Sequence, residues 1–373
     1  MPDQQCPSAA ARRRRATTIA AGVPELGWAC CGALFMPMLL GLHVPDYLLT
    51  VCWLFSPVLG LFLHPCVGRL SDTHGRRPWT ILFGGLSALG LVATPLCVSL
   101  LAGSPGVAAV AAIVAFGITD TSHDLLVTPI RAAMNDLFNT EDSERRSAIA
   151  AAVGALFGRC CATFLHTTAA FVTTAGLVAA ATAAQCLAPP TPPCESCASD
   201  EAGDQALSPS ARKAPRGFAI VWMLQFAGWV SICTFFFYFT SVWAELAGCA
   251  PGTPEFDREV RVACGLLMSN SFVFVAAGMA LPSVTRICGG EVRAAAASVL
   301  TFAMVLLSFG YTPRPVVAAG VLLALPLAYQ VVTNVPFAWL ERQPGFAEAE
   351  RGRLTGCLNA SLAAAQTVTA LSS

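Results

Sequence analysis

The chain has 373 residues, of which 55% are hydrophobic and only 12% charged, and its formal net charge is zero. Soluble proteins of this size carry about a quarter charged residues, so the composition excludes an ordinary soluble domain and predicts a membrane protein. The balanced charge gives no electrostatic support for a nucleic-acid partner. Most of the sixteen cysteines fall inside apolar runs, where cysteine packs as a small hydrophobe. Cys194-x-x-Cys197 has no second pair or histidine beside it and reads as loop, so no metal site is expected.

A helix needs about 20 apolar residues to cross a bilayer. The amino-terminal stretch is polar, with a basic block at Arg12–Arg15 and no secretory leader pattern. Apolar runs of spanning length follow at 17–43, 47–67, 79–101, 106–130, 147–165, 168–188, 217–243, 262–282, 294–311, 315–340 and 354–373. The expectation is an all-α membrane protein with about eleven transmembrane helices. With the amino terminus cytoplasmic, all but four of the 22 basic residues fall on the cytoplasmic side; Arg159 lies within a helix, and Arg258, Arg261 and Arg314 face the other way. Segment 189–216 is rich in Pro, Ser, Asp and Gly and reads as a flexible cytoplasmic linker. It separates a first unit, 1–188, with six helices from a second, 217–373, with five. Two six-helix bundles would need a twelfth helix, so the last one is expected to be missing, through truncation of either the sequence or the protein.

Chemistry-bearing residues punctuate the apolar runs. The link between the second and third runs holds Gly68, Asp72, Gly75, Arg76 and Arg77, in the pattern Gly-x-x-x-Asp-x-x-Gly-Arg-Arg. The glycines allow a tight turn and close helix approach, and the charges can pair across an interface to hold one end of a gate. This motif resembles the loop between helices two and three of the major facilitator superfamily. Trp53-Leu-Phe-Ser-Pro57 ahead of Pro65-x-x-Gly68, Gly27-Trp28 in the first helix, and Asp120-x-x-x-Asp124-x-x-x-x-Pro129-x-Arg131-Ala132-x-x-x-Asp136 in the fourth resemble plant sucrose/proton symporters and solute carrier family 45. Gln330-x-x-Thr333-x-x-Pro336 and Gly352-x-Leu354-x-Gly356-x-Leu358-Asn359 extend the resemblance into the second half.

The resemblance implies the major facilitator fold and secondary active transport by alternating access, with a sugar of the sucrose or hexose class moving together with a proton. No cofactor is implied beyond the proton as coupling ion, and no enzymatic motif appears. Uptake without proton coupling, carriage of another small polar solute, and a non-transporting sensor or degenerate truncated transporter remain alternatives. The chain is expected to act as a monomer in the lipid bilayer, in the plasma membrane or an internal organelle membrane.

Asp120 and Asp124 are four residues apart and share a helix face. A carboxylate costs at least a few kcal/mol in a bilayer and so belongs in the bundle interior. A carboxyl group in low dielectric is easier to protonate than one in water, which suits it to carry a proton. In the resembled family the position of Asp120 is associated with proton coupling or substrate binding, Arg131 matches an arginine important for transport, and Glu25 matches a Glu/Gln position. Cys31 replaces a polar residue of that family. Arg159 is a further departure; as a buried cation after Gly154-x-x-x-Gly158 it is expected to face Asp120 or Asp124 as an ion-pair partner and weaken proton coupling. Gln330, Asn334 and Asn359 are candidate polar residues of the substrate cavity.

Overall fold

A computed structural model describes residues 7–42, 44–188, 214–251, 253–343 and 348–371. The segment 189–213, most of the expected linker with its two cysteines, lies outside the described residues. So do the side chains of Arg69 and Asp72.

The described residues form helices joined by short turns. In chain order they are α1 (Pro7–Ala20), α2 (Val23–Gly41), α3 (Asp46–His74), α4 (Arg76–Leu100), α5 (Pro105–Leu137), α6 (Thr140–Phe164) and α7 (Thr167–Leu187). After the linker come α8 (Phe218–Glu245), α9 (Pro254–Ile287), α10 (Glu291–Tyr311), α11 (Arg314–Ala319), a π-helical turn at Gly320–Ala324, α12 (Leu325–Glu341) and α13 (Glu348–Leu371). Every apolar run foreseen in the sequence corresponds to helix. Nine spans among the described residues are long and apolar enough to cross a membrane, with α1 and α2 counted together as Ser8–Gly41. The other two of the eleven expected spans lie in α3, where Cys52–His64 is apolar and several flanking side chains lie outside the described residues, and in α13. In α13, Glu348, Glu350, Arg351 and Arg353 open the helix, and Asn359 and Gln366 dilute the rest.

One feature of the 68–78 link differs from expectation. Helix α3 continues to His74 and α4 starts at Arg76, so the turn is reduced to Gly75. Its φ of 82° lies in the left-handed region that glycine enters without steric cost. A single residue therefore reverses the chain between two long helices.

Close approaches between helices occur where side chains are smallest. A Cβ at Gly154 of α6 would stand 2.1 Å from Gly22 O, and one at Gly158 would stand 2.3 Å from Leu26 O. Thus Gly154-x-x-x-Gly158 brings the backbones of α6 and α2 together, as small-x-x-x-small patterns do in membranes. Gly90 and Gly84 of α4 do the same against Thr119 of α5 and Thr182 of α7. Helix α6 also packs on α9, and α3 on α13, so the helices before and after the linker form one assembly. Apolar side chains left outside, such as Phe62, Leu89, Phe157, Leu187, Met304 and Leu323, suit contact with lipid.

Candidate functional site

The fourth apolar run forms α5, whose middle carries the acidic pair. Asp120 and Asp124 are 4% and 7% exposed, one helical turn apart. Ser56 of α3, fully buried, donates to Asp124 Oδ2 at 2.8 Å and also neighbours Asp120. Trp28 and Cys31 of α2, Cys233 of α8 and Gln366 of α13 complete the surroundings of the pair. Five helices therefore converge on two carboxyl groups. Trp28 lies within reach of Asp120 and the Gln366 amide within reach of Asp124, and Gln366 Oε1 is buried without a hydrogen-bond partner among the described residues. Cys31, the departure noted in the sequence, packs beside Asp120 and adds only a thiol where an oxygen or amide would bond.

The residue between the two aspartates that sequence reasoning missed is His123. Its ring faces α4 and α2, where Nε2 and Ser87 Oγ are 2.7 Å apart. Gly27 makes room for it, since a Cβ there would lie 2.0 Å from His123 Cε1 and Nε2. A second buried histidine, His64 of α3, has Nδ1 3.0 Å from Thr128 Oγ1 of α5. The signal for His123 was present, because it directly precedes Asp124 in a helix that must be buried.

Toward the end of α5 that bears Arg131, a cavity opens between the helices. Glu25, Arg131, Ser147, Phe274, Tyr329, Gln330, Thr333 and Asn334 contribute to its lining. Pro129 lies within the helix just ahead of Arg131, where its missing N–H leaves the carbonyl of Leu125 without its usual helical donor. Tyr329 Oη donates to Glu25 Oε1 at 2.9 Å, tying α12 to α2. Arg131 donates through Nη2 to Thr333 O at 3.3 Å, and its guanidinium lies 4.2 Å from the centre of the Phe337 ring. Asn334 Nδ2 donates to Gln330 Oε1 at 2.8 Å, so two of the expected cavity amides are linked to each other. Asn359 is elsewhere: it is buried in α13, is absent from this lining, and its Nδ2 has no partner among the described residues. Tyr329, which no sequence pattern singled out, joins the two halves of the chain across the cavity, as Arg131 does.

Arg159 does not meet the aspartates, contrary to expectation. It is 4% exposed, and Nη1 donates to Leu267 O at 2.9 Å, Asn270 Oδ1 at 3.1 Å and Ser271 Oγ at 2.8 Å, all on α9. Its charged neighbour is Glu25, not the α5 pair. The physical reason is the face of α6 it occupies. Gly154 and Gly158 take the side that packs on α2, and Arg159, one residue on, is turned towards α9. There the π turn at Gly320–Ala324 matters: Asn270 Nδ2 donates to Val321 O at 2.5 Å, which aims Asn270 Oδ1 at the arginine.

The Gly68–Arg77 motif forms a separate cluster at the end of α3. Arg76 donates to Ser71 Oγ at 2.9 Å and pairs with Asp136 of α5 at 3.4 Å. Arg77 donates to Cys186 O of α7. Arg13, Thr17 and Gln185 join Arg76, Arg77 and Asp136 around a second cavity. Gly68 faces Thr128, where a Cβ would make ordinary contact at 3.9 Å.

No protein-family model matches the chain. Among curated proteins it is 26% identical to rice (Oryza sativa subsp. indica) sucrose transport protein SUT3, in an alignment covering 95% of this chain and 85% of that protein. It is 30% identical to Arabidopsis thaliana sucrose transport protein SUC4 over 38% of this chain and 30% of that one. It is 31% identical to a mouse membrane-associated transporter protein over 32% of this chain and 25% of the other. Among solved structures, a D-xylose-proton symporter superposes with TM-score 0.67 at 14% identity, covering 96% of this chain and 88% of that one. A bacterial homologue of the iron transporter ferroportin gives 0.65 at 11%, covering 98% and 91%. The fold is that of the major facilitator superfamily, and the protein is a multi-pass integral membrane protein. The similarity to rice sucrose transport protein SUT3 runs along nearly the whole chain, while that to the Arabidopsis and mouse proteins is confined to about a third of it.

Proposed function

We propose that the protein carries a sugar across the membrane by alternating access, coupled to a proton held by Asp120 and Asp124. The observation that carries this reading is the buried carboxyl pair on α5, bonded by Ser56 and flanked by the polar side chains of Trp28 and Gln366. Two carboxyl groups sharing one buried site resist carrying two negative charges, so a proton resides there readily and can leave when the site reaches water. The cavity lined by Glu25, Arg131, Gln330 and Asn334 supplies the mixed donors and acceptors that hydroxyl groups need. The names and sequence similarity of the plant sucrose transport proteins support a sugar as cargo.

The first unit, 1–188, and the second, 217–373, act in this reading as the two bodies that rock about the central site, and the Gly68–Arg77 cluster holds the cytoplasmic side closed. The amino terminus is cytoplasmic, in keeping with the distribution of arginines.

The test is uptake of labelled sucrose and glucose into vesicles carrying the full chain, with and without an inward proton gradient. Stimulation by the gradient, lost in Asp120→Asn, is the expected result. Uptake that ignores the gradient excludes coupling, and correct insertion without uptake of any sugar excludes the transport reading.

A further inference from the structure

Helix α3 presents a line of polar and small residues to α5. Ser56, Gly60, His64 and Gly68 recur every fourth position and so share one face. At one end of the line Ser56 donates to Asp124 Oδ2 at 2.8 Å. Two turns on, His64 is 5% exposed, and its Nδ1 lies 3.0 Å from Oγ1 of Thr128, one turn beyond Asp124 on α5. The next turn brings Gly68 against the methyl group of Thr128. Buried Ser71 follows, accepting from Arg76, which also pairs with Asp136 at the exposed end of α5. The line therefore runs from the acidic pair to the end of the bundle that bears the Gly68–Arg77 motif.

His64 spans the middle of it. A Cβ on Gly60 would stand 3.2 Å from His64 Cδ2 and 3.4 Å from Nε2, so the ring lies back over Gly60, towards the turn that bears Ser56. The same point is 4.0 Å from Cβ of Ala363 on α13. Three residues further along α13, Gln366 neighbours Asp124, with its Oε1 buried and unpartnered among the described residues. Of the side chains that α5 and α13 bring to this stretch, Asp120 and Asp124 are titratable, and Thr128, Ala363 and Gln366 are not. His64 forms no ion pair among the described residues. A polar ring in an apolar interior costs free energy unless its nitrogens are used. An imidazole takes a proton at one nitrogen and gives one up at the other, as packing alone would not require.

We infer that His64 is the relay through which the proton held by Asp120 and Asp124 leaves along the seam between α3 and α5, towards the Gly68–Arg77 cluster. The proton passes from the Asp124 carboxyl to a water held by Gln366 Oε1, and that water yields a proton to His64 Nε2. The ring gives up its Nδ1 proton to the Thr128 hydroxyl, which releases its own. One proton has then moved past the ring, the carboxylate keeps the negative charge, and His64 is neutral with its hydrogen on Nε2. Exchange with water returns that hydrogen to Nδ1. This rests on the proton-coupled transport proposed above and names the residue that discharges the site.

The experiment uses the full chain in vesicles with labelled sucrose and glucose, and compares two rates. Net uptake driven by an inward proton gradient needs the proton discharged in every cycle. Exchange of label at equal sugar on both sides runs with the proton retained. His64→Gln should lower net uptake roughly tenfold or more and leave exchange within about twofold. Thr128→Val keeps the shape but removes the hydroxyl, and should lower net uptake roughly threefold or more with exchange again spared. It decides the matter should His64→Gln not remain monodisperse. Equal loss of both rates makes the ring a packing element and overturns the relay, as does undiminished net uptake in either variant. Uptake by the unaltered chain that ignores the gradient removes proton coupling and the relay with it. An unaltered chain that carries neither sugar removes the transport reading and the relay together.

Discussion

At the scale of single residues, the site depends on side chains that fit only because a neighbour gives way. His123 occupies the space that a methyl on Gly27 would fill, within 2.0 Å of its ring. Overpacking of that kind costs about 1–3 kcal/mol. Gly27→Ala should therefore lower the thermal unfolding midpoint in detergent. His123→Ala by itself leaves Ser87 without its 2.7 Å partner and should also destabilise. In the double variant the added methyl no longer clashes, so the combined loss should be smaller than the sum of the two. Additive losses would show that the ring is not against Gly27. Tyr329 gives a second case. Its hydroxyl has Glu25 as acceptor across the α2–α12 junction. Hydrogen bonds contribute about 1 kcal/mol net, close to a fivefold change in an equilibrium constant. Tyr329→Phe is expected to raise the KM for uptake roughly three- to tenfold with the protein still correctly inserted, whereas an unchanged KM would place Glu25 outside the substrate path.

At the scale of helices, contact follows small residues. Gly154→Val should be far more damaging than Gly154→Ala, and both should harm more than Gly176→Ala. A Cβ at Gly154 meets backbone of α2, while one at Gly176 meets nothing within 4 Å. Monodispersity of the purified protein on size exclusion measures the order. The helices themselves were legible from apolar length, and so was the burial of Asp120 and Asp124, because a carboxylate in a spanning segment has to turn inward. The neighbours of Arg159 were not legible. Sequence spacing places Gly154, Gly158 and Arg159 on one helix, but only the packing of α6 between α2 and α9 decides which face each residue meets. Tyr329 escaped notice for the same reason: its partner lies 304 positions away along the chain. The turn at Gly75 was foreseen as a loop of several residues, since charged residues in a row resemble a loop whether or not they are helical. Here the helix simply continues until glycine allows the reversal.

At the scale of the whole molecule, alternating access requires two sets of contacts between the helices before and after the linker, one on each side of the central site. Both sets are present. Towards the end of the bundle bearing the Gly68–Arg77 motif, Arg131 of α5 holds Thr333 O and Phe337 of α12, and Asn135 Nδ2 donates to Glu341 Oε1 at 2.9 Å. Towards the opposite end, Trp53 of α3 stacks on Phe237 of α8 with ring centres 4.0 Å apart, and Thr240 Oγ1 donates to Ala33 O of α2 at 3.4 Å. With both sets formed the bundle is held on both sides, and the transport proposed above would break one set at a time. If the two sets are independent gates, weakening one should loosen its own end and spare the other. Arg131→Ala should speed hydrogen–deuterium exchange in peptides spanning 131–137 and 333–341, with little change at 233–243. Trp53→Ala should do the opposite, since it removes the stack on Phe237 and the edge contact with Phe116 at 5.3 Å. Faster exchange at both ends in both variants would mean that the contacts stabilise one rigid body, and that the central site does not open by alternate release of its two sides.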